Sequence, residues 1–154
     1  MKKLLKTVLF TLPLLISQPA MSENPFFKPF EGTPHGVTPF GKIENKHYEE
    51  AIVRGIDLAK AEINAITSNP EKPTFENTIV ALEDAGEDLS RVLNVFYPLA
   101  EALSSDEIMA IQERIIPLLS DYQTSITLNE KLWERIKAVH DTADLWKLSV
   151  EDPD

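Results

Sequence analysis

One run of apolar residues restricts the fold of this chain more than any other feature of its sequence. Between Lys46 and about Ser68, the apolar residues follow one another at steps of four, four, three, four and three. They are Tyr48, Ile52, Ile56, Ala59, Ile63 and Ile66. This spacing places all of them on one face of an amphipathic α-helix. The run Asn69–Pro73 ends the helix, because proline cannot continue it and disfavours helix in the residue before it.

A second helix is predicted immediately after this linker. Thr74 is a suitable N-cap, and Glu76 in the first turn complements the positive end of the helix. The predicted buried face consists of Phe75, Ile79, Leu82, Leu89, Leu93 and Phe96, with Ala85 and Gly86 completing the turn between Leu82 and Leu89. A glycine inside a helix costs about 1 kcal/mol relative to alanine, so we expect another backbone to pass close to Gly86. The short linker predicts that the two helices are antiparallel neighbours.

Two further helices are predicted from capping signatures and apolar spacing. A capping box from Ser104 to Glu107 begins a helix that runs to about Thr127 and that Pro117 should kink. Its predicted inward residues are Ile108, Ile111, Ile115, Leu118, Leu119, Tyr122 and Ile126. Asn129 can cap a fourth helix. That helix holds Leu132, Trp133, Ile136 and Val139. The predicted fold class is all-α, with about four helices in antiparallel hairpins.

The helical pattern weakens after His140. Leu145, Trp146 and Leu148 are interpreted as buried residues of a connecting segment, and residues 149–152 resemble the start of another helix. Since a domain rarely closes on a helix start, residues 46–154 are expected to form a helical domain that is incomplete at its C-terminus.

Residues 23–45 are predicted to form an extended arm before this domain. The arm contains four prolines and three glycines, which exclude a regular helix and a central strand. It also carries four phenylalanines: Phe26, Phe27, Phe30 and Phe40. Phenylalanine buries a large apolar area, and disordered segments are poor in aromatic residues. We therefore expect the arm to lie along the body of the protein, the alternative being a disordered terminus.

Residues 1–22 have the layout of a secretory signal peptide. A basic start, Met1–Lys3, precedes the apolar run 4–16, and small residues stand before a cleavage site after Ser22. A membrane anchor is the weaker alternative, because the apolar run is shorter than the ~20 residues that a span needs. No cysteine follows the cleavage site, which argues against lipid attachment. We expect an exported, periplasmic protein that is not held in the membrane after cleavage.

The charge of the chain excludes two classes of partner. Its formal net charge is −10 at pH 7, and removal of the leader, which holds lysines but no acid, would make it more negative. Such a chain suits neither nucleic acid nor anionic lipid, because both bind through lysine and arginine. The chain has no cysteine, so its stability must come from packing rather than from disulfide bonds.

Four acidic residues form a candidate catalytic or metal-binding group: Glu83, Asp84, Glu87 and Asp88. In a continuous helix the two aspartates lie opposite the apolar face and the two glutamates lie beside it. A dinuclear carboxylate site would also need Glu-x-x-His motifs on partner helices, and the chain contains none. We interpret the four acids as the solvent-exposed face of a structural helix, on which Glu87 attracts Arg91.

The three histidines, His35, His47 and His140, do not form a metal-binding motif. His47 and Glu50 are spaced i,i+3 and could share a metal, but a zinc site needs three or four ligands. We interpret these two residues as a polar pair in the first turn of the helix. The sequence also lacks H-E-x-x-H, a glycine-rich phosphate loop and G-x-S-x-G. No catalytic, cofactor-binding or metal-binding residue is therefore assigned.

The arm and the first two helices together resemble a known family. The stretches NPFFKPFEGTPHGVTPFGKIENKHYEEAI and NPEKPTFENTIVALEDAGEDLSRV are similar to the N-terminal region of the thimet-oligopeptidase-like zinc metallopeptidases. Within that family they look most like the bacterial oligopeptidase A and peptidyl-dipeptidase branch. The resemblance runs from Asn24 to about His140 and is strongest at Pro39–Ile43, His47–Ile52 and Pro73–Thr78.

The resemblance implies a parent enzyme that hydrolyses short peptides, either as an oligopeptidase or by release of C-terminal dipeptides. In this family a later helical domain carries the zinc, held by the two histidines of H-E-x-x-H and a downstream glutamate, while the N-terminal helices help to wall a substrate channel. The chain lacks those zinc-binding positions. The resemblance therefore implies an N-terminal fragment that is inactive alone and whose partner is the missing catalytic domain. The alternative is a free-standing periplasmic helical binding or structural module without enzymatic activity.

Overall fold

The computed structural model describes residues 24–28 and 37–142 of the chain. Its α-helices in these residues are α1 (Asn45–Ser68), α2 (Ala81–Asp84), α3 (Glu87–Ala102), α4 (Asp106–Thr127) and α5 (Glu130–Thr142). Short 3₁₀ helices lie at Pro25–Phe27 and Phe40–Lys42, and a π-helix lies at Phe75–Val80. The predicted all-α fold is confirmed. The predictions for the leader 1–22, for Phe30 and His35 and for residues 145–152 lie outside the described residues.

Helix α1 is the central element of the fold, and its predicted buried face is confirmed. All of the apolar residues of its stripe, from Tyr48 to Ile66, are buried. Helices α3, α4 and α5 each pack against it. This arrangement stabilises the helices, because most helical stability in proteins comes from packing of an apolar face rather than from intrinsic propensity.

Helix α3 runs antiparallel to α1, as the short linker predicted. The rings of Tyr48, near the beginning of α1, and Phe96, in the second half of α3, have centroids 5.3 Å apart. At the other end of the pair, Glu62 of α1 accepts a hydrogen bond from the N–H of Gly86, the residue before α3. The two helices therefore contact each other in opposite order along the chain.

Helix α4 runs parallel to α1. Asn45 at the beginning of α1 donates a hydrogen bond to Glu107 in the first turn of α4, at 2.7 Å. About one turn further along α1 and two turns further along α4, Arg114 makes two hydrogen bonds, at 2.7 and 2.8 Å, with the carboxylate of Glu49. Since α3 is antiparallel to α1, α3 and α4 are antiparallel to each other.

The predicted continuous second helix is wrong, because the chain breaks at Ala85–Gly86. Gly86 has φ +83°, in the left-handed region that glycine adopts without steric cost. Its N–H donates to Glu62 of α1 at 2.7 Å, instead of to a carbonyl in its own helix. The expected close approach exists, but through side chains: a Cβ at Gly86 would lie 3.3 Å from the Tyr122 hydroxyl and 3.5 Å from the Cβ of Ala59.

The interruption changes which residues of this region are buried. Phe75 was predicted to be buried but is 50% exposed, whereas Thr78 is fully buried. Phe75–Val80, the first six residues of the predicted second helix, form a π-helix. Its wider turn does not keep the 3.6-residue period on which the prediction was based. After the break, Leu89 and Phe96 are buried as predicted, and Val92 joins them.

The last two helices follow the predicted pattern with three corrections. Ser105, not Ser104, caps α4, because its hydroxyl accepts from the N–H of Ile108. Leu118 and Trp133 were placed with the apolar residues of their helices, but they are 40% and 64% exposed. The cap of α5 is confirmed, since the side chain of Asn129 accepts from the N–H of the third residue of that helix. Helix α4 continues through Pro117.

The arm is anchored on the helices at its N-terminal end. Phe26 is buried, 5.4 Å from the ring of Tyr48, and its carbonyl accepts from Arg91 of α3. The side chain of Asn24 donates to the carbonyl of His47 at 2.8 Å. The prediction of burial is wrong for Phe40, which is 57% exposed.

The buried apolar residues form two separate clusters. The large cluster joins the arm to α3, α4 and the N-terminal half of α1, and it includes Phe26, Tyr48, Ile52, Phe96 and Ile115. The small cluster lies at the C-terminal end of α1 and consists of Ile63, Ile66 and Leu132, with residues of α2 packed against them. None of the described helices has an apolar stretch long enough to cross a membrane.

Candidate functional site

One concave feature of the described surface is a cleft between α3 and α4. Both helices pack on α1, and the space left between them has a volume of about 390 Å³. The cleft is lined by Gly86, Leu89, Ser90, Leu93, Tyr97, Leu119, Tyr122 and Gln123. The lining is mainly aliphatic and aromatic and carries no formal charge, so it suits apolar side chains better than ionic groups.

A smaller and more polar pocket lies between α1 and the end of α4. Its volume is about 200 Å³, which is below the range usual for sites that enclose a small-molecule ligand. The pocket is lined by Lys60, Ile63, Asn64, Tyr122, Ser125, Ile126 and Asn129. Lys60 is the only charged residue in this lining.

Tyr122 belongs to the lining of both spaces and separates them. Burial raises the pKa of its phenol above the ordinary value of 10.0, and the negative charge of Glu62 raises it further. The group is therefore neutral at physiological pH, where it can donate or accept a hydrogen bond but cannot act as an anionic base. The cleft and the pocket can accommodate side chains or small ligands. Their linings contain no nucleophile paired with a general base.

The candidate acidic group is divided by the helix break. Glu83 and Asp84 end α2, whereas Glu87 and Asp88 begin α3. The first three are exposed to solvent, and the fourth is partly exposed. Arg91 lies 2.7 Å from the Asp88 carboxylate and 3.7 Å from that of Glu87. The acids are thus a solvated surface, with the predicted attraction to Arg91 present and shared by Asp88.

The histidines are likewise placed apart from one another. His47 is buried and caps α1: its Nδ1 accepts from the N–H of Glu44 at 2.9 Å. The predicted polar pair with Glu50 is therefore replaced by a bond to the backbone. His140 is exposed near the end of α5, 3.5 Å from Asp141. His35 lies outside the described ranges.

The described residues do not fit a zinc site. Across 24–28 and 37–142, no three histidine, cysteine, aspartate or glutamate side chains come close enough to hold a metal ion. A protein zinc site requires three or four such donors. We therefore derive no metal-dependent step from these residues.

Two residues that organise the helix ends, Asn77 and Arg135, were not predicted from the sequence. The side-chain oxygen of Asn77 accepts from the N–H of Thr74 and from Arg135, at 2.9 and 3.0 Å. Arg135 is only 8% exposed. The burial of Arg135 could have been predicted from its position in the sequence. It lies three residues after Leu132 and four before Val139, on the apolar face of α5.

The chain is similar to bacterial peptidases of known name. It is 40% identical over 106 residues to the dipeptidyl carboxypeptidase of Escherichia coli, and 35% identical over 119 residues to that of Salmonella typhimurium. It is 25% identical over 118 residues to oligopeptidase A of Escherichia coli. These alignments cover 69%, 77% and 77% of this chain, but only 16%, 17% and 17% of the relatives.

The chain spans about a sixth of the length of the curated relatives that it matches. No protein-family model matches it. The resemblance inferred from the arm and the first two helices is confirmed by these relatives, which carry the names of both peptidases in the predicted branch. This chain is thus a homologue of the N-terminal part of the thimet oligopeptidase family, to which dipeptidyl carboxypeptidase and oligopeptidase A belong.

Proposed function

We propose that this chain is the N-terminal, channel-wall part of a zinc metallopeptidase that hydrolyses short peptides. The observation that carries the proposal is the 40% identity to a dipeptidyl carboxypeptidase over 106 residues. The identity to oligopeptidase A is lower, at 25%. This difference favours a parent enzyme that releases dipeptides from the C-terminus of its substrate over one of the oligopeptidase type.

The described surface supports a role in packing against a further domain. The cleft between α3 and α4 is open and lined mainly by aliphatic and aromatic residues, and Tyr97 in this lining is 40% exposed. Other large apolar side chains are also exposed, among them Leu103, Ile116, Leu128 and Trp133. Contiguous apolar surface marks sites of protein–protein contact, so we propose the catalytic domain as the partner of the cleft between α3 and α4.

In this proposal the residues of the chain shape and support the channel and carry out no chemical step. Zinc would supply a Lewis acid and an activated water in the whole enzyme. Its ligands would come from residues other than those described, which bring no three metal donors together. The chain alone is therefore expected to bind no stoichiometric zinc and to cleave no peptide.

A chimeric enzyme tests the proposal. Residues 24–142 would replace the segment that they match in the dipeptidyl carboxypeptidase of Escherichia coli. The matched control is the same enzyme with that segment deleted. We expect the chimera to release C-terminal dipeptides from a short peptide well above the deletion control, with one zinc per chain.

A chimera that is folded by circular dichroism and loaded with zinc, but no more active than the deletion control, would contradict the proposal. That outcome would favour a free-standing helical binding module. Zinc-dependent cleavage by residues 24–142 alone would contradict the assignment of the chemistry to another domain.

We further propose export to the periplasm, on the basis of the leader-like residues 1–22. Cell fractionation with N-terminal sequencing tests this point. The expected mature protein begins at Glu23 and is released with the periplasmic fraction. Recovery of uncleaved chain in the cytoplasm would reject it.

A further inference from the structure

Two parts of the described chain are joined to each other by hydrogen bonds and packing, and both also pack on α1. The first is the linker and helical segment of residues 69–84, and the second is α5. They pack together through the π-helix Phe75–Val80 and through the small apolar cluster. We call these two parts the clasped unit.

Arg135 of α5 holds the clasped unit together. One of its terminal nitrogens donates to the carbonyls of Asn69 and Glu71, at 2.9 and 3.3 Å, and the other donates to the side chain of Asn77 at 3.0 Å. All of these acceptors lie in residues 69–84. Loss of a hydrogen-bond partner of a buried guanidinium costs free energy. We therefore expect α5 and the linker to move together.

The attachment of the clasped unit to α1 and α4 involves fewer buried apolar residues than the large cluster contains. Its apolar contact is the small cluster, in which Ile63 and Ile66 of α1 meet Leu132 of α5. Its boundaries with the other helices, at Asn69, Ala85–Gly86 and Leu128–Asn129, all lie outside the α-helices. The large cluster, which is much more extensive, joins α1, α3 and α4 without using α5.

A hydrogen bond holds the boundary at Ala85–Gly86 against α1. The carboxylate of Glu62 accepts the N–H of Gly86 at 2.7 Å, across 24 residues of sequence. The Tyr122 hydroxyl stands on the other side of this glycine, 3.3 Å from the position that a Cβ would occupy. Gly86, one of the two residues between α2 and α3, is thus bonded to α1 and lies against α4.

We propose that the clasped unit is a flap that opens from the end of α1 as one body, with Ala85–Gly86 as one of its hinges. The Glu62–Gly86 hydrogen bond holds this hinge in its closed conformation, and we call this bond the latch. Opening uncovers Ile63 and separates it from Leu132. Ile63 also lines the pocket between α1 and α4, so the open state enlarges that pocket on its apolar side. The flap is a property of residues 24–142 and does not depend on the proposed peptidase function.

Hydrogen exchange measured by mass spectrometry tests the latch. Glu62→Ala should raise exchange in residues 74–84 and in 130–142 by a common factor of about ten, since a hydrogen bond to a charged group is lost. Exchange in the centres of α1 and α3, within the large cluster, should stay within twofold of the wild type. Asp57→Ala is the matched control, because Asp57 is an exposed acid on the same helix and should leave both regions unchanged.

Two further results decide between a latch and general loss of stability. Glu62→Gln keeps an oxygen that can accept from Gly86, so it should restore most of the protection in both segments. An increase confined to residues 85–90, or an equal increase in all helices, would overturn the proposal. So would exchange that rises in 74–84 but not in 130–142, because the two parts would then not move as one body.

Discussion

Gly55 of α1 and Leu89 of α3 bring the backbones of these two helices close together. A Cβ placed at Gly55 would lie 3.0 Å from the Cα of Leu89 and 3.2 Å from its Cβ. The absence of a side chain at Gly55 therefore sets the distance between the two helices. The residues Tyr48 and Phe96 come into ring contact further along the same interface.

Gly55→Ala should destabilise the protein although alanine is the better helix former. Overpacking costs about 1–3 kcal/mol, and the gain in helix propensity is only about 1 kcal/mol. We expect a net loss of about 1 kcal/mol in the free energy of unfolding, measured by urea titration with circular dichroism. Gly41→Ala is the control, because no atom lies within 4 Å of its added Cβ. Equal or higher stability of Gly55→Ala would show that α3 can move away without cost.

Phe26→Ala and Phe40→Ala form a matched pair that tests the anchoring of the arm. Phe26 is 1% exposed and Phe40 is 57% exposed. Truncation of a buried phenylalanine costs about 3–5 kcal/mol, whereas an exposed substitution costs within about 0.5 kcal/mol. Thermal and urea unfolding of both variants measure the difference. Similar small losses in the two variants would mean that the N-terminal end of the arm does not contribute to the core.

Asn77→Ala should reduce stability by about 2 kcal/mol, because it removes both a helix cap and a partner of a buried arginine. Asn77→Asp should lose less than half as much. Its carboxylate keeps the acceptors for Thr74 and Arg135 and loses only the donor to Lys72. Asn94→Ala on the exposed surface of α3 is the control for urea unfolding. An aspartate variant as unstable as the alanine variant would contradict this account.

The ion pair between Glu49 and Arg114 predicts a dependence on pH. Its hydrogen bonds lower the pKa of the Glu49 carboxyl below the ordinary value of 4.5. A lowered folded-state pKa adds stability above pH 4.5 and loses it as the pH falls through the folded-state value. Arg114→Gln should therefore raise the pKa of Glu49 toward 4.5, as measured by carboxyl NMR titration. The pair is largely exposed, so 1 M salt should produce a partial shift in the same direction.

The sequence allowed prediction of those features that depend on local spacing. The buried face of α1 follows a helical period without interruption from Tyr48 to Ile66, and every member is buried. The cap of α5 at Asn129 was equally predictable, because capping depends on one side chain and the turn that follows it. The family was recognised from short stretches whose order and spacing match its relatives.

The break at Gly86 could not be predicted from local spacing. Leu82 and Leu89 are seven residues apart, a distance that suits a continuous helix. What distinguishes the break is a carboxylate of α1, Glu62, which lies 24 residues earlier in the chain. The cleft between α3 and α4 was unpredictable for the same reason, since it depends on how two helices are placed on a third.

The bonds of Arg135 to the linker have a consequence for the evolution of chain length. Exposed, proline-rich connections between helices usually tolerate insertions and deletions. Here α5 holds two carbonyls of the connection, those of Asn69 and Glu71, two residues apart. One added or removed residue between them would move a carbonyl out of reach of the guanidinium. Homologues that keep an arginine at this position should therefore keep the length of the linker, although its surface is open to solvent.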